Sequence, residues 1–216
     1  MKNGGAVPYV PDAATLPQLA EAAQRCRGCD LYKNATQAVL GEGPPGAPIV
    51  MVGEQPGDRE DLAGKPFVGP AGALLDRALE DAGIARIEVY VTNAVKHFKF
   101  EERGKRRIHK KPSTVEVQAC YPWLEAELRL MRPRLIVCLG ATAAYAIISK
   151  KHKLLQQRGH FFEHPLAEAV TATVHPSSIL RAPNADRRKL DYEAFVTDLK
   201  VVAAHIRNME RRLQHG

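Results

Sequence analysis

At 216 residues the chain is long enough for one well-buried domain and too short for two full-sized ones. With 45% hydrophobic and 25% charged residues, 16 Gly and 15 Pro, its composition is ordinary for a globular protein and excludes collagen-like, disordered and coiled-coil classes. Lys plus Arg is 31 against 24 for Asp plus Glu, so the net charge is +7 and the pI about 9.3, a balance that favours polyanionic partners.

No apolar run approaches the roughly 18 residues that a membrane span needs, and residues 1–10 lack a basic-then-apolar leader. The expected location is cytoplasmic, away from any membrane. Residues 14–24 carry Leu16, Leu19, Ala20 and Ala23 at helical spacing, an amphipathic helix that delivers Cys26 and Cys29. Residues 48–53 (PIVMVG) are almost wholly apolar and close on glycine, as a strand buried on both faces does. Residues 70–83 begin at proline, set Leu74, Leu75, Ala78 and Leu79 on one side and stop at glycine, which predicts a helix. Residues 89–92 (VYVT) predict a second strand. The cationic stretch 94–112 has no usable period and is too long for a plain connection, which points to a functional role.

Ser113 and Glu116 form an S-T-V-E capping box ahead of Val117, Cys120, Trp123, Leu124, Leu128 and Met131, and a helix starts there. Residues 134–140 (RLIVCLG) read as the third strand, 141–149 as a short helix, 150–165 as an irregular or hairpin segment, and 169–174 (AVTATV) as the fourth strand. A last helix spans 186 to about 213, with Leu190, Phe195, Leu199, Val202, Ile206, Met209 and Leu213 facing inward. Strands separated by helices imply right-handed crossovers and a three-layer α/β/α sandwich around a central four-stranded parallel sheet, one domain over residues 1–216.

Open parallel sheets bind ligands at the carboxyl ends of their strands. The residues following each strand are therefore the first candidates: Glu54, Gln55, Pro56 and Gly57; Asn93; Gly140, Ala141 and Thr142; His175, Pro176, Ser177 and Ser178. Asn, Gly and Pro are also ordinary turn residues, and Gly140 reads best that way. Residues 105–111 (KRRIHKK) set five cations around Ile108 and His109, which by itself describes a solvated loop or a phosphate patch. The four cysteines, in a reducing compartment, are poor candidates for disulfides. Cys26 and Cys29 form C-x-x-C, Cys120 lies in a helix and Cys138 in a buried strand; four thiolates suit Zn²⁺ or an iron–sulfur cluster, and spacing does not choose. Cys138 alone also reads as core. His97, His160 and His164 take surface or packing roles by default.

The motifs G-E-Q-P-G (53–57), P-F-V-G-P-A-G (66–72), V-T-N ending at Asn93 and H-P-S-S (175–178), with the cysteines, resemble the iron–sulfur uracil-DNA glycosylases of family 4. The resemblance covers nearly the whole chain. Gln55, where ordinary members usually have alanine, and the basic insert K-R-R-I-H (105–109) look like the UdgX branch, whose members attach covalently to uracil-containing DNA.

That resemblance implies a site for breaking the deoxyuridine N-glycosidic bond. His175 would hydrogen-bond uracil O2 and stabilise the departing anion, and Asn93 would read the O4 and N3–H edge. Phe67 would stack on the extruded base, with Gln55 and Gly57 beside it. His109 would attack C1′ in place of water, and Glu54 would orient or deprotonate the second ring nitrogen, or else position a water. Lys105, Arg106 and Arg107 would hold the insert against DNA or against the protein body, and Ser177 and Ser178 would touch a phosphate. Cys26, Cys29, Cys120 and Cys138 would hold a structural [4Fe-4S] cluster. The implied partner is uracil-containing DNA, single- or double-stranded, and the protein is expected to be a monomer. Two other readings compete: a hydrolytic glycosylase of the same family that turns over, and a non-catalytic single-strand binding module, which the 6% aromatic content supports poorly.

Overall fold

The computed structural model describes residues 5–12 and 14–214, of which 213 and 214 are described by backbone alone. Its strands are β1 (Ile49–Gly53), β2 (Val89–Asn93), β3 (Phe100–Arg103), β4 (Arg106–His109), β5 (Leu135–Leu139), β6 (Phe162–His164) and β7 (Ala167–Thr173). Its helices are α1 (Leu16–Ala23), α2 (Asp58–Ala63), α3 (Pro70–Ala82), α4 (Thr114–Met131), α5 (Ala141–Ile147), α6 (Leu154–Gln157), α7 (Pro176–Leu180) and α8 (Ala185–Gln214).

The main sheet runs β2-β1-β5-β7-β6, and its first four members are parallel. Five strands replace the expected four, because β6 pairs antiparallel with β7 at the edge. Only three residues long, β6 shows no period to read, and the turn joining it to β7 is closed by Leu166 N donating to His164 Nδ1 at 3.2 Å. Every residue of β1, β2 and β5 is buried, as their near-continuous apolar runs require.

Alternate side chains feed two cores. Ile49, Met51, Val137 and Leu139 pack against α3, α7 and α8, whereas Val50, Val52, Ile136 and Cys138 pack against α4 and α5. A third, smaller core gathers Leu19, Ala23, Cys26, Val95, Val117, Cys120 and Trp123 between α1 and α4. The capping box of α4 forms as read, with Ser113 Oγ accepting from Glu116 N at 3.3 Å and Ser113 N donating to Glu116 Oε2 at 2.6 Å.

Two expectations change. Leu190 is 61% exposed, since it lies five residues before Phe195 and hence about 140° round α8 from the buried Phe195–Leu199–Val202–Ile206–Met209 stripe; the side chain of Leu213 lies outside the described residues. Within the stretch without period, β3 and β4 form a hairpin, closed by Gly104 at φ +59° where a tight two-residue turn favours glycine. No helix among the described residues is long and apolar enough to cross a membrane.

From β1 the chain crosses to β2 on one side and later returns to β5 on the other. Strand order therefore reverses at β1, and a crevice opens between the carboxyl ends of β1 and β5.

Candidate active site

A cleft of about 1050 Å³ occupies that crevice, and Glu54, Phe67, Asn93, His109, Thr142 and His175 are among its walls. Glu54 leaves the end of β1 and Thr142 begins the helix after β5, so the Thr142 hydroxyl donating to Glu54 Oε2 spans the point where strand order reverses. The other carboxylate oxygen, Oε1, lies 3.4 Å from His109 Nε2. Burial pulls the His109 pKa below its ordinary 6.5, the Glu54 charge opposing and Arg181 adding to the fall, so the ring is neutral near pH 7 with a free lone pair.

Asn93 and Phe67 converge on the end of β1. A Cβ on Gly53 would stand 2.4 Å from Asn93 Oδ1 and 2.8 Å from Phe67 Cζ, so glycine is the one residue that lets both side chains approach. Asn93 pairs with Gly53 in the sheet register and is 3% exposed. Phe67 has φ 56°, a left-handed conformation costing about 1 kcal/mol or more for a side chain of its size. The loop holding it is fixed from two sides: a Cβ on Gly72 would fall 1.6 Å from the Phe67 carbonyl oxygen, and Gly69 N donates to Glu60 Oε1 at 2.8 Å. The same carboxylate accepts from Gly57 N at 3.1 Å through Oε2, so Glu60 ties the loop after β1 to the Phe67 loop. Gly57 lines the cleft while its N–H is engaged by Glu60.

His175 caps the N-terminus of α7 and lines the cleft, its ring 6.1 Å from the Phe67 ring at an interplanar angle of 25°. Its Nδ1 accepts from Ser177 N at 3.1 Å and lies 2.8 Å from Ser177 Oγ. An Nδ1 that accepts leaves the ring proton on Nε2. Burial, with Arg181 and His109 nearby, pushes the pKa down to about 4, so this neutral tautomer is the form present at pH 7. Ser178 Oγ donates to the His175 carbonyl at 2.7 Å. Both serines therefore brace the histidine.

The β3–β4 hairpin brings His109 to the cleft. Gln55, 6% exposed, clamps its base: Nε2 donates to the carbonyls of Lys99 at 3.1 Å and Lys110 at 3.0 Å, and Oε1 accepts from Lys99 N at 3.2 Å. Gln55 lines the cleft, and its amide also holds the backbone that carries the histidine. Arg107, expected at DNA or at the protein body, goes to the body. It meets Asp58 Oδ1 at 2.5 Å and the fully buried Asp61 at 2.6 Å, with its guanidinium over the Phe98 and Phe100 rings at 5.5 and 5.0 Å. Lys105 and Arg106 are exposed at the turn.

The cysteines divide. Cys26, Cys29 and Cys120 belong to the small α1–α4 core, where Trp123 Nε1 donates to Cys26 Sγ at 3.1 Å and Lys96 N to Cys120 Sγ at 3.2 Å. Cys138 is apart from them, in β5 beside Val52 and Ala172, and is a buried core thiol. Burial raises the Cys120 pKa to about 12. Among the described residues no three His, Cys, Asp or Glu side chains come together closely enough to hold a metal ion. His97, given no task from the sequence, is 5% exposed and shares with Cys26 the wall of a cavity of about 560 Å³.

Thr142, a candidate from its place just after β5, does reach the cleft. Glu60, Asp61, Arg181 and His97 were not singled out by their sequence context as functional side chains; for Glu60 and Asp61, acidic residues in the first turn of a helix read as ordinary dipole partners.

The uracil-DNA glycosylase superfamily model matches residues 40–200. The chain is 37% identical over 176 residues to a type-4 uracil-DNA glycosylase of Thermotoga maritima, covering 81% of this chain and 88% of that one. A type-4 uracil-DNA glycosylase of Pyrobaculum aerophilum is 36% identical over 175 residues, 78% of this chain and 86% of its own. More distant is a type-5 uracil-DNA glycosylase of Thermus thermophilus, 33% identical over 141 residues and 58% of this chain. With its parallel sheet and a cleft at the β1–β5 crevice, the chain belongs to the uracil-DNA glycosylase superfamily.

Proposed function

We propose that this protein excises uracil from DNA and captures the resulting sugar covalently through His109, as members of the UdgX branch do. The observation that carries the reading is the His109 ring 3.4 Å from Glu54, in the same cleft as Asn93, Phe67 and His175.

As the C1′–N1 bond lengthens, its electron pair moves onto uracil and positive charge develops at C1′. The neutral His175 donates from Nε2 to uracil O2 and stabilises that anion, while the Asn93 amide pairs with O4 and N3–H. Cytosine would present the opposite donor pattern and leave buried groups unpaired. The Glu54 carboxylate stabilises the cationic sugar. The free lone pair of His109 then forms the N–C1′ bond; the resulting imidazolium sheds its remaining N–H proton to Glu54 or through it to water, and the uracil anion takes a proton from solvent. A neutral alkylated imidazole is a poor leaving group, so the adduct persists.

Cys26, Cys29 and Cys120, with His97 in place of Cys138 as the fourth donor, are the residues we assign to an iron–sulfur cluster. Thiolate and imidazole suit iron; Cys26, Cys29 and Cys120 share one small core and His97 shares a cavity wall with Cys26, whereas Cys138 belongs to the central sheet. When bound, the cluster would supply a cross-link for that lobe, and bond cleavage would need no redox step from it. The DNA substrate follows from the family and from the net charge of +7.

Incubation with uracil-containing and thymine-containing oligonucleotides, followed by a denaturing gel, tests the reading. A denaturation-resistant band with uracil alone, lost in His109→Ser, is expected. Release of many uracils per enzyme with no such band would make the protein an ordinary hydrolytic glycosylase.

A further inference from the structure

Lys96 and Glu127 form an ion pair whose side chains are each 1% exposed, and neither lines the cleft. Glu127 sits on the face of α4 turned to the sheet. It accepts from Gly41 N at 2.6 Å and Tyr90 Oη at 2.9 Å through Oε1, and from Thr92 Oγ1 at 2.9 Å and Lys96 Nζ through Oε2. Lys96 Nζ also donates to Thr92 Oγ1 at 2.8 Å and to the Asn93 carbonyl at 2.6 Å. The ammonium thus uses its three protons and the carboxylate its four acceptor positions.

Burying two charges costs the hydration of both, and apolar residues of similar volume serve a core as well or better. A fully satisfied network does something an apolar pair cannot: it fixes the groups it touches at defined distances. Here it fixes the end of β2. The carbonyl of Asn93 is gripped directly, and the next residues pass the constraint on, Ala94 N donating to Gly53 O and Val95 N to Glu54 O, each at 3.0 Å. With its side chain confined between Gly53 and Phe67 and its carbonyl held from behind, Asn93 has one orientation in the cleft.

We propose that Lys96 and Glu127 are positioning residues that set Asn93 for reading the uracil edge. This rests on the role given to Asn93 above. An amide that reads a donor and an acceptor on one base edge tolerates little displacement, and a misplacement of about 1 Å costs on the order of a hundredfold in rate.

The test is single-turnover uracil release by the full-length holoprotein. Lys96→Met/Glu127→Leu replaces the pair with apolar groups, and Glu127→Gln keeps the shape while removing the charge and one acceptor oxygen, a second route should the double variant not fold. At saturating enzyme, uracil release should fall about tenfold to a hundredfold, with half-saturation by DNA unchanged. Combined with Asn93→Ala, either variant should add no further loss, because both act through the same amide. Release within twofold of the parent in both variants, or losses that multiply with Asn93→Ala, would overturn the positioning role. If Asn93→Ala alone left uracil release unchanged, the reading of Asn93 itself would fail, whatever Lys96 does.

Discussion

Gln55 Nε2 donates to the Lys110 carbonyl at 3.0 Å, one residue beyond His109. With the Lys99 contacts on the opposite strand, a single buried amide closes the base of the hairpin that delivers His109. An alanine at this position would take the amide from the Lys110 carbonyl and the Lys99 N–H, while the Lys99 carbonyl keeps Lys110 N at 2.9 Å.

Gln55→Ala should therefore loosen the hairpin more than it disturbs the uracil pocket. Stability should fall by about 1–3 kcal/mol. Adduct formation should slow on the order of a hundredfold, while uracil release falls much less. Parallel time courses of base release and of gel-shifted complex measure the two, and equal slowing of both would return Gln55 to direct substrate contact.

Arg107 separates the cations of the insert into two kinds. Asp61 is fully buried and accepts from Thr36 N, Thr36 Oγ1 and Arg107. Arg107→Ala should cost about 3 kcal/mol in urea unfolding, since it leaves that buried carboxylate without its counter-charge. It should leave the salt dependence of DNA binding as in the parent. Lys105→Ala and Arg106→Ala, at the exposed turn, should do the reverse, each lowering the salt slope by about one with little effect on stability.

Much of the fold was legible because β1, β2, β5, β7, α3 and α4 each carry an apolar pattern that one geometry satisfies. The hairpin was not, since its inward-facing group is Arg107, whose charge is neutralised by Asp58 and Asp61 from a distant part of the chain. Periodicity counts apolar residues and is blind to a half-buried cation whose partner lies about 50 positions away. The cleft residues Glu54, Asn93 and His175 were legible from their place after strands. The internal hydrogen bonds of Gln55 and the two serines were not, because their partners are backbone atoms and a ring nitrogen, which no residue type announces.

Acid should weaken the protein and the adduct together. His109 titrates below 6.5 and His175 at about 4. Between pH 6.5 and 4 the unfolded chain takes up protons that the folded rings refuse, so stability falls as pH falls through that window and is flat above it. Adduct formation needs the His109 lone pair and should lose half its rate at a pH below 6.5. Glu54→Gln removes the charge that raises the His109 pKa, so its normalised midpoint should move lower still. Gel-shift rates across pH, with imidazole proton resonances as the direct titration, decide the matter; an upward shift in Glu54→Gln contradicts the pairing.

The division among the cysteines has a consequence that iron analysis reads directly. Cys138→Ala removes a sulfur packed between Val52 and Ala172 in the central sheet, so it should cost about 1 kcal/mol of packing and leave iron and sulfide content as in the parent. His97→Ala and Cys120→Ser instead remove donors from the α1–α4 lobe. Each should lower bound iron and the visible absorption of a cluster, and each should lower the melting temperature, since a cross-link between α1 and α4 is lost. Uracil release should fall less than cluster content does, because Cys26, Cys29, His97 and Cys120 are not among the residues that line the cleft. Full iron content in His97→Ala together with its loss in Cys138→Ala would restore the four-cysteine set and require β5 and the α1–α4 lobe to meet in a way this fold does not allow.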